Sequence, residues 1–462
     1  MNVDTPGDPL TAGPVTYALT GAGGGFARTL LAQSLLLPGL HPAVLCDLDP
    51  DAVLALCADL GYDPAALTLV SDADGLREAR AAGHTAVVAD TALLADAAYD
   101  ILVEATGSPS AGFRAAREAI ENRHHVAMVS KEVDSVAGVE LDRLARLHGV
   151  VYTPAAGDQP ANLIEWHDRI RTLGLEIVAI GKSGEYDLVF DPATGEVRQL
   201  DESLHAPELS ALLRLGDDVP ATLAARARAV APLKRAAAAD YCEMAVVAAG
   251  TGFVPDREAL HYPVARTAEL ADVYALREDG GVLGRAGVID VFSVLRLPEE
   301  ASFAGGVFAV VRTHDPVTWS VLAQKGHVVS RNGRYACLYL PYHLMGVETP
   351  LTLLAAVRDG VPTGVAVPGR HAVLAGRAAR DLPAGTVLAM GGHHHEIDGV
   401  APVLLPAAEA PSDTAPFYLA AHSRLVRNVP RGALITVADI DGYDPDLLAA
   451  WRADADRAPQ TR

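Results

Sequence analysis

Short apolar runs alternate with helix-length amphipathic segments over residues 15–155. The first run, VTYALT, is followed at once by a glycine-rich turn and then by a segment whose apolar residues recur at helical spacing. Because strands that alternate with helices form a parallel sheet covered on both faces, this pattern predicts a doubly wound, Rossmann-type α/β fold. The further strands are predicted at 43–46, 84–89, 100–105, 125–129 and 150–153, with a short helix near 91–97.

The hydrophobic pattern then loses this regular alternation. An apolar run at 177–180 predicts a strand, and residues 184–200 are polar and rich in turn residues. An Ala/Leu/Arg-rich stretch at 207–249 predicts a long helical segment, whereas 282–345 mixes short strands with loops. This mixture is typical of an α+β domain.

Proline and glycine recur over 360–369, which predicts a linker, and the segment after it is rich in glycine, proline and short β runs. We therefore expect three domains. They are a dinucleotide-binding domain at 14–155, an α+β domain for substrate binding, catalysis and oligomerisation at 156–360, and a small all-β domain at 370–445.

The charge balance excludes one class of partner. The 462 residues carry 37 Lys and Arg against 58 Asp and Glu, a formal net charge of −21 at pH 7. A protein held on nucleic acid by phosphate contacts needs positive charge, so nucleic acid is excluded. No run of about 18 apolar residues is present, and the acidic N-terminus lacks the basic and apolar regions of a leader. We therefore expect a soluble, cytoplasmic protein without a membrane partner.

Cysteine and histidine give little sign of a metal centre. The cysteines stand apart among apolar residues without C-x-x-C spacing, so they are expected to be reduced core residues. The run His393-His394-His395 lies between glycine turns, and adjacent side chains of an extended segment point to opposite faces. The sequence therefore supports no metal there, although a divalent cation at a catalytic site stays open.

The glycine cluster after the first strand fits the spacing G-x-x-G-x-x-[GA] as Gly21, Gly24 and Ala27. The first glycine permits a tight turn, the second lets a pyrophosphate approach the backbone, and the third small residue lets helix pack on strand. The alternative is a plain glycine turn. The expected coenzyme-binding residues are Gly21, Gly24, Gly25, Phe26, Asp47, Thr106 and Gly107.

Asp47 bears on the choice of coenzyme. It ends the second predicted strand, where a carboxylate bonds the adenosine ribose hydroxyls and repels a 2′-phosphate, which favours NAD over NADP. Arg28 offers a countercharge for a phosphate, and Asp49 is an alternative cap for the following helix. Thr106-Gly107 ends the fourth strand, where such sheets hold the nicotinamide, or it is a βα turn and nothing more.

Several charged residues follow predicted strand ends and are candidates for catalysis. Lys131 follows the fifth strand, where an ammonium group can donate to a carbonyl oxygen as hydride arrives. Glu132 can tune that lysine, contact the substrate or hold a divalent cation. Asp158 and Lys182 also follow predicted strands, so all are expected to meet at one cleft. The alternative for Lys131, Asp158 and Lys182 is a solvated loop charge.

A locally basic segment over 325–343 stands out in this acidic chain. Lys325, Arg331 and His343 suit an anionic substrate such as a sugar phosphate or a carboxylate. For His343, a core or interface position is the alternative.

Taken together, these motifs resemble homoserine-dehydrogenase-like oxidoreductases. The resemblance rests on Val129–Asp134, Gly149–Thr153, Gly157–Ala161 and Gly181-Lys182. The run PYHLMGVETP at 341–350, with 380–388 and 429–436, is similar to the subgroup with a C-terminal SAF domain. That subgroup includes 1-deoxy-D-xylulose-5-phosphate reductoisomerase-like enzymes, which isomerise and reduce a ketose phosphate with NADPH.

The resemblance implies an NAD(P)-dependent homo-oligomer, a dimer or tetramer, with Lys131 at the reactive centre and the SAF domain as an accessory. Its substrate is expected to be a small anionic hydroxy or keto acid or a ketose phosphate, and reductoisomerase activity is one form of the hypothesis. Two alternatives stay open: homoserine dehydrogenase proper, although the second lysine and aspartate of those enzymes have no clear counterpart motif here, and a non-catalytic regulatory protein that binds a nucleotide or carbohydrate.

Overall fold

The computed structural model describes residues 13–365, 367–392 and 394–455. Residues 1–12, part of the N-terminal segment in which no leader is predicted, and His393 of the histidine run lie outside this part. Two compact units divide the chain. Unit 1 comprises the described residues of Met1–Ala161, Leu344–Pro368 and Asp444–Arg462, and unit 2 those of Asn162–His343 and Gly369–Tyr443.

Unit 1 contains a seven-stranded sheet in which all strands lie parallel. The strand order is β3-β4-β2-β1-β5-β6-β7, so the direction of winding reverses between β1 and β5. This confirms the predicted doubly wound fold. The strands are β1 (Val15–Thr20), β2 (Leu40–Cys46), β3 (Leu67–Leu69), β4 (Thr85–Val88), β5 (Ile101–Glu104), β6 (His125–Met128) and β7 (Tyr152–Pro154).

Helices connect these strands, and their sequence signals explain several of their ends. Asp49 caps the second helix by accepting a hydrogen bond from Ala52 N at 3.1 Å. Gly149 ends the fifth helix in the left-handed conformation, with φ of 71°. The helices are α1 (Gly25–Ser34), α2 (Pro50–Leu60), α3 (Ala73–Ala82), α4 (Pro109–Glu121), α5 (Lys131–His148) and α6 (Gln159–Thr172).

Three details of unit 1 differ from the sequence prediction. The short strand β3 was not expected, and the predicted helix near 91–97 is a single 3₁₀ segment, Thr91–Asp96. The strand expected at 150–153 begins at Tyr152, because the left-handed Gly149 and the residue after it still belong to the turn.

Unit 2 is built on a ten-stranded mixed sheet with a main order of β11-β10-β9-β14-β8-β15-β17-β16, on which β12 and β13 pair with β14. The polar segment at 184–200, expected as turns, contributes a hairpin of β9 and β10 that turns through the left-handed Gly195. The strands are β8 (Ile177–Ser183), β9 (Leu188–Asp191), β10 (Glu196–Gln199), β11 (Glu202–His205), β12 (Val254–Pro255), β13 (Val264–Ala265), β14 (Val288–Arg296), β15 (Val307–Arg312), β16 (Val328–Val329) and β17 (Tyr335–Leu340).

The long helical segment expected at 207–249 is divided into three helices. Asp218 caps the second of them, and Pro220 in its first turn and Pro232 after its end explain the breaks. The helices of this region and the next are α7 (Leu209–Leu212), α8 (Val219–Ala229), α9 (Ala238–Thr251), α10 (Leu270–Val273) and α11 (Pro316–Gln324).

The C-terminal part of unit 2 contains a four-stranded antiparallel sheet in the order β18-β21-β20-β19, and a separate pair, β22 and β23. This agrees with the small β-rich module predicted there. Its strands are β18 (Ala372–Ala378), β19 (Met390–Gly391), β20 (Glu396–Ile397), β21 (Val400–Pro406), β22 (Arg424–Leu425) and β23 (Ile440–Asp441). The last helices of the chain are α12 (Thr349–Leu354), α13 (Phe417–Ala420) and α14 (Pro445–Ala455).

Two late segments return to complete unit 1. Leu353 and Ala356 are fully buried in the same hydrophobic cluster as Leu19 and Leu30. Helix α14 packs on α5, and Asp444 before it accepts a hydrogen bond from Arg114 at 3.0 Å. The hydrophobic core of unit 1 is thus assembled from distant parts of the chain.

Two further findings concern the state of the cysteines and the length and apolar character of the helices. All four cysteines lie in the described part of the chain, where they are buried and free of disulfides, as predicted. Among the described residues, no helix combines the length and apolar character that crossing a bilayer requires.

Candidate active site

The glycine turn after β1 lies where the winding of the sheet reverses. Gly21 has a φ of 68°, and a Cβ placed on it would lie 2.3 Å from the carbonyl oxygen of Ala105, which follows β5. Only glycine fits this conformation at so close an approach. The loops after β1 and β5 therefore meet at the switch point, where doubly wound sheets form their ligand crevice.

Helix α1 begins directly after this turn. Its N-cap is Gly24, which has no side chain to accept hydrogen bonds from the N–H groups of the first turn. The N–H of Gly24 itself donates to Gly21 O at 3.1 Å. The N–H groups of the first turn, including those of Gly25 and Phe26, have no partner within a helix and favour an anion. Ala27 is fully buried, as expected of the third small position.

Asp47 follows β2 and is bonded to the glycine turn itself. Its Oδ2 accepts a hydrogen bond from Gly23 N at 2.9 Å, and its Oδ1 accepts one from Asp49 N at 3.1 Å. The two acids therefore have separate tasks, because Asp49 caps α2 while Asp47 is held beside the glycines.

The turn after β5 is organised by the buried carboxylate of Glu104, which is not among the predicted site residues. Glu104 is fully buried, and its Oε1 accepts hydrogen bonds from Thr106 N at 3.0 Å and Thr106 Oγ1 at 2.6 Å. Gly107 N donates to Ser130 Oγ at 2.8 Å, which ties this turn to the start of α5. Glu104 Oε2 has no hydrogen-bond partner among the described residues.

Lys131 and Asp158 form an ion pair at the carboxyl edge of the same sheet. Lys131 is the first residue of α5, after β6, and Asp158 follows β7. Lys131 Nζ donates to Asp158 Oδ2 at 2.8 Å, and the lysine side chain is 22% exposed while that of the aspartate is 7% exposed. The ammonium group is therefore positioned and still reachable from solvent.

Glu132 lies beside this pair in the first turn of α5. It is 7% exposed, and its burial raises its pKa to about 7, although the Lys131 ammonium acts in the opposite direction. The group therefore titrates near neutral pH.

Lys182 lies in unit 2, near the end of β8, and is only 2% exposed. Its ammonium contacts Asp240 Oδ1 at 2.7 Å and forms a second ion pair with Glu243, both on α9. Burial acts to lower the pKa of Lys182, but the two carboxylates raise it above its ordinary value. Lys182 is thus a buried cation held between two acids rather than a solvated loop charge.

Further hydrogen bonds extend from the cluster of Lys182, Asp240 and Glu243. Tyr262 OH donates to Asp240 Oδ2 at 2.9 Å, and the backbone N–H of the preceding residue, His261, donates to Asp290 Oδ1 at 2.9 Å. Asp290 is fully buried, and its burial raises its pKa to about 7. Tyr262 has a φ of 42°, so a strained backbone is held in place by these bonds.

The predicted anion-binding residues lie in unit 2 with different surroundings. Arg331 contacts Asp272 at 3.4 Å and Asp217 at 3.8 Å, whereas Lys325 is exposed at the end of α11. His343 is half-buried, and its ring lies against Gly305, where an added Cβ would be 2.0 Å from Nδ1. His394 and His395 contact the rings of Tyr186 and Tyr418, and the described residues contain no group of three or more His, Cys, Asp or Glu arranged to hold a metal.

The residues that sequence reasoning missed are Glu104, Asp240 and Glu243. Glu104 lies in the strand predicted at 100–105, where a single acid at a strand end gives no signal of its own. Asp240 and Glu243 stand three positions apart on a helix that is otherwise almost wholly apolar and buried. Two acids on such a helix require a buried partner, and this was the signal available in the sequence.

Comparison with known proteins identifies one family model. Residues 235–349, which include Asp240 and Glu243, match the model described as the catalytic domain of the oxidoreductase DRL. This agrees with the predicted oxidoreductase for the matched segment, while the homoserine-dehydrogenase-like and SAF assignments stay predictions. No curated protein matches the chain.

Solved structures show a distant likeness. An Agrobacterium radiobacter oxidoreductase in complex with NAD+, L-tartaric acid and magnesium is 16% identical over 39% of this chain and 46% of its own, with a TM-score of 0.27. The 1-deoxy-D-xylulose 5-phosphate reductoisomerase of Zymomonas mobilis in complex with NADPH is 21% identical over 37% of this chain and 46% of its own, with a TM-score of 0.28.

A probable dehydrogenase from Thermotoga maritima is 11% identical over 76% of this chain and 91% of its own, with a TM-score of 0.39. The chain thus covers less than half of the length of the first two structures, at 46% each.

Proposed function

We propose that the chain is an NAD(P)-dependent oxidoreductase that acts on a small anionic hydroxy or keto compound. The observation that carries the proposal is the row of groups at the carboxyl edge of the unit 1 sheet. The row runs from the Gly21 turn, with Asp47 bonded to it, to the Lys131–Asp158 pair. The oxidoreductase family model supports the same class of reaction.

The glycine turn and the start of α1 have the features that a dinucleotide requires. The uncapped first turn of α1 suits the pyrophosphate, and Asp47 suits the ribose hydroxyls. Both NAD and NADP stay candidate coenzymes, because Asp47 favours NAD and the reductoisomerase-like resemblance favours NADP. When bound, the nicotinamide supplies or accepts the hydride.

Lys131 has the charge and position to act on the carbonyl group. Its ammonium would donate a hydrogen bond to the substrate oxygen and a proton to the alkoxide that forms during reduction. Asp158 orients that ammonium through the 2.8 Å contact. Lys182 is proposed as a second catalytic cation, positioned by Asp240 and Glu243, and Lys325, Arg331, His343 and Glu132 as substrate contacts.

The sequence resemblance suggests two more specific hypotheses for the substrate. The first is a ketose phosphate that is isomerised and reduced, and the second is homoserine. The proposal also assigns 14–155 to the coenzyme, 156–360 to the substrate and the oligomer interface, and 370–445 to an accessory SAF domain.

Coenzyme binding is the first test. Titration calorimetry of the full chain with NAD+ and NADPH should give saturable heat for at least one of them. The tighter coenzyme is then used at 340 nm with ketose phosphates, hydroxy acids and homoserine. The proposal is refuted if neither coenzyme gives heat or thermal stabilisation. Tight coenzyme binding without turnover of any of these substrate classes would support a regulatory protein instead.

A further inference from the structure

A cleft of about 380 Å³ lies wholly within unit 2. It is formed by the loop after β12, by residues 284 and 285 before β14, and by the end of β21. Neither Lys131, Asp158 nor Lys182 lines it. Within unit 2, the cleft is therefore separate from Lys182, the proposed second catalytic cation.

Two of the acids that line this cleft are already neutralised. Glu258 Oε2 accepts a hydrogen bond from Arg377 at 2.5 Å. The Asp256 side chain is only 7% exposed, and its Oδ2 pairs with the Arg277 guanidinium at 3.5 Å and accepts from Gly284 N at 3.1 Å. Neither carboxylate is left to repel an incoming anion.

The other charged groups of the cleft have hydrogen-bonding capacity to spare. Within the described part of the chain, Arg257 and Glu409 make no side-chain hydrogen bond or ion pair, and Arg285 donates only to the carbonyl oxygen of Pro255, at 2.5 Å. Two guanidinium groups thus face the cleft against one carboxylate. This balance suits a ligand with a single carboxylate, and Glu409 suits a hydrogen-bond donor on that ligand.

We propose that this cleft binds a short monocarboxylic acid that also carries a hydroxyl or ammonium group. The carboxylate pairs with Arg257 and Arg285, whose planar forks match its two oxygens. The donor group bonds Glu409. Leu405 and Pro406 give the remaining wall an apolar surface for a short aliphatic part.

The test uses the full chain and four probes in titration calorimetry: L-lactate, L-alanine, propionate and inorganic phosphate. Lactate or alanine should bind about tenfold more tightly than propionate, which lacks a donor, and more tightly than phosphate, which is mostly dianionic at pH 7.5. The comparison of lactate with alanine identifies the preferred donor. Tighter binding of phosphate or propionate than of both others would overturn the proposal, as would the absence of heat from all four.

Variants separate this cleft from the proposed substrate site. Arg257→Gln and Arg285→Gln should each weaken lactate or alanine binding about tenfold, whereas the control Arg198→Gln, which removes an exposed charge elsewhere in unit 2, should leave it unchanged. Glu409→Gln should strengthen propionate binding and reduce the preference for a donor. Unaltered binding in both arginine variants would overturn the proposal. Because heat is measured without coenzyme, failure of the oxidoreductase function would leave this result interpretable.

Discussion

Lys131 Nζ lies 2.8 Å from Asp158 Oδ2, at the carboxyl edge of a parallel sheet. This contact joins the residues that follow two neighbouring strands, β6 and β7, and it presents one partly exposed ammonium group to the crevice. Under the proposed function the two residues have different tasks, proton donation for Lys131 and orientation of its ammonium group for Asp158.

Removal of that ammonium group should abolish most turnover. In Lys131→Met we expect kcat to fall by about 10²–10⁴-fold with an unchanged Kd for coenzyme, because the proton donor is lost while the glycine turn is intact. Stopped-flow or steady-state absorbance at 340 nm measures the first quantity and calorimetry the second. Arg146→Met, which removes a cation from the last turn of the same helix, is the control. Wild-type turnover in Lys131→Met would exclude it as the acid.

Gly21→Ala should prevent coenzyme binding. The new Cβ would be forced to within 2.3 Å of Ala105 O in a left-handed backbone, so the two loops at the switch point must separate. Gly61→Ala has the same kind of backbone strain, with φ of 88°, but no atom within 4 Å of the added Cβ. Both variants should lose stability, and Gly21→Ala alone should lose the coenzyme heat; equal binding in the two variants would contradict the close approach.

Asp47→Ser should shift the coenzyme preference towards NADP. The substitution removes a carboxylate that is bonded to Gly23 N and that would repel a 2′-phosphate. The ratio of the Kd values for NADP and NAD should fall about tenfold or more, as measured by calorimetry. The control Asp49→Ser removes a second carboxylate from the same loop, one that caps α2 and that serine can replace as a cap. Its ratio of Kd values should therefore stay at the wild-type value.

Removing the Lys182 ammonium should destabilise unit 2. Lys182→Met leaves Asp240 and Glu243 buried without their cation, and we expect the free energy of unfolding to fall by about 3–5 kcal/mol in urea titrations. Adding Asp240→Asn and Glu243→Gln should recover part of that loss. Arg380→Met, which breaks a solvent-exposed pair with Asp398, should change stability by less than about 1 kcal/mol. A similarly small loss in Lys182→Met would show that the cluster is not a tightly paired one.

Glu132 should make stability fall as the pH rises towards neutrality. Its folded pKa, about 7, lies above the ordinary value of 4.5, so the folded state keeps a proton that the unfolded chain releases. The contribution is complete below pH 4.5 and is lost as the pH rises through 7, by at most about 3 kcal/mol. Urea midpoints between pH 5 and 8 should decline in the wild type and decline less in Glu132→Gln; parallel curves would contradict this assignment.

The residues at the sheet edge could be predicted because parallel strands end on the same side. The apolar runs of β6 and β7 predict that Lys131 and Asp158 lie at one edge of the sheet, and the pairing of the two strands brings them into contact. Local pattern was sufficient there, since each residue is fixed by the strand immediately before it.

The partners of Lys182 could not be predicted in that way. Glu243 is 61 positions away along the chain, on a helix that the sequence merges into one long segment. Its contact with Lys182 depends on how α9 packs against the mixed sheet, and hydrophobic periodicity does not specify that packing. Arg331 is similar, because its bond to Asp272 arises from tertiary contacts between distant loops.

The return of the chain to unit 1 affects the order in which this protein can mature during synthesis. When the ribosome has produced all seven parallel strands, Leu353 and Ala356 are still missing from the core of unit 1. The surface of α5 is not yet covered by α14. An N-terminal fragment that ends before these segments would therefore display apolar surface until residues 353–356 and α14 have been synthesised. Chaperone dependence and protease sensitivity should accordingly be greater for C-terminal truncations than the small size of the missing helix suggests.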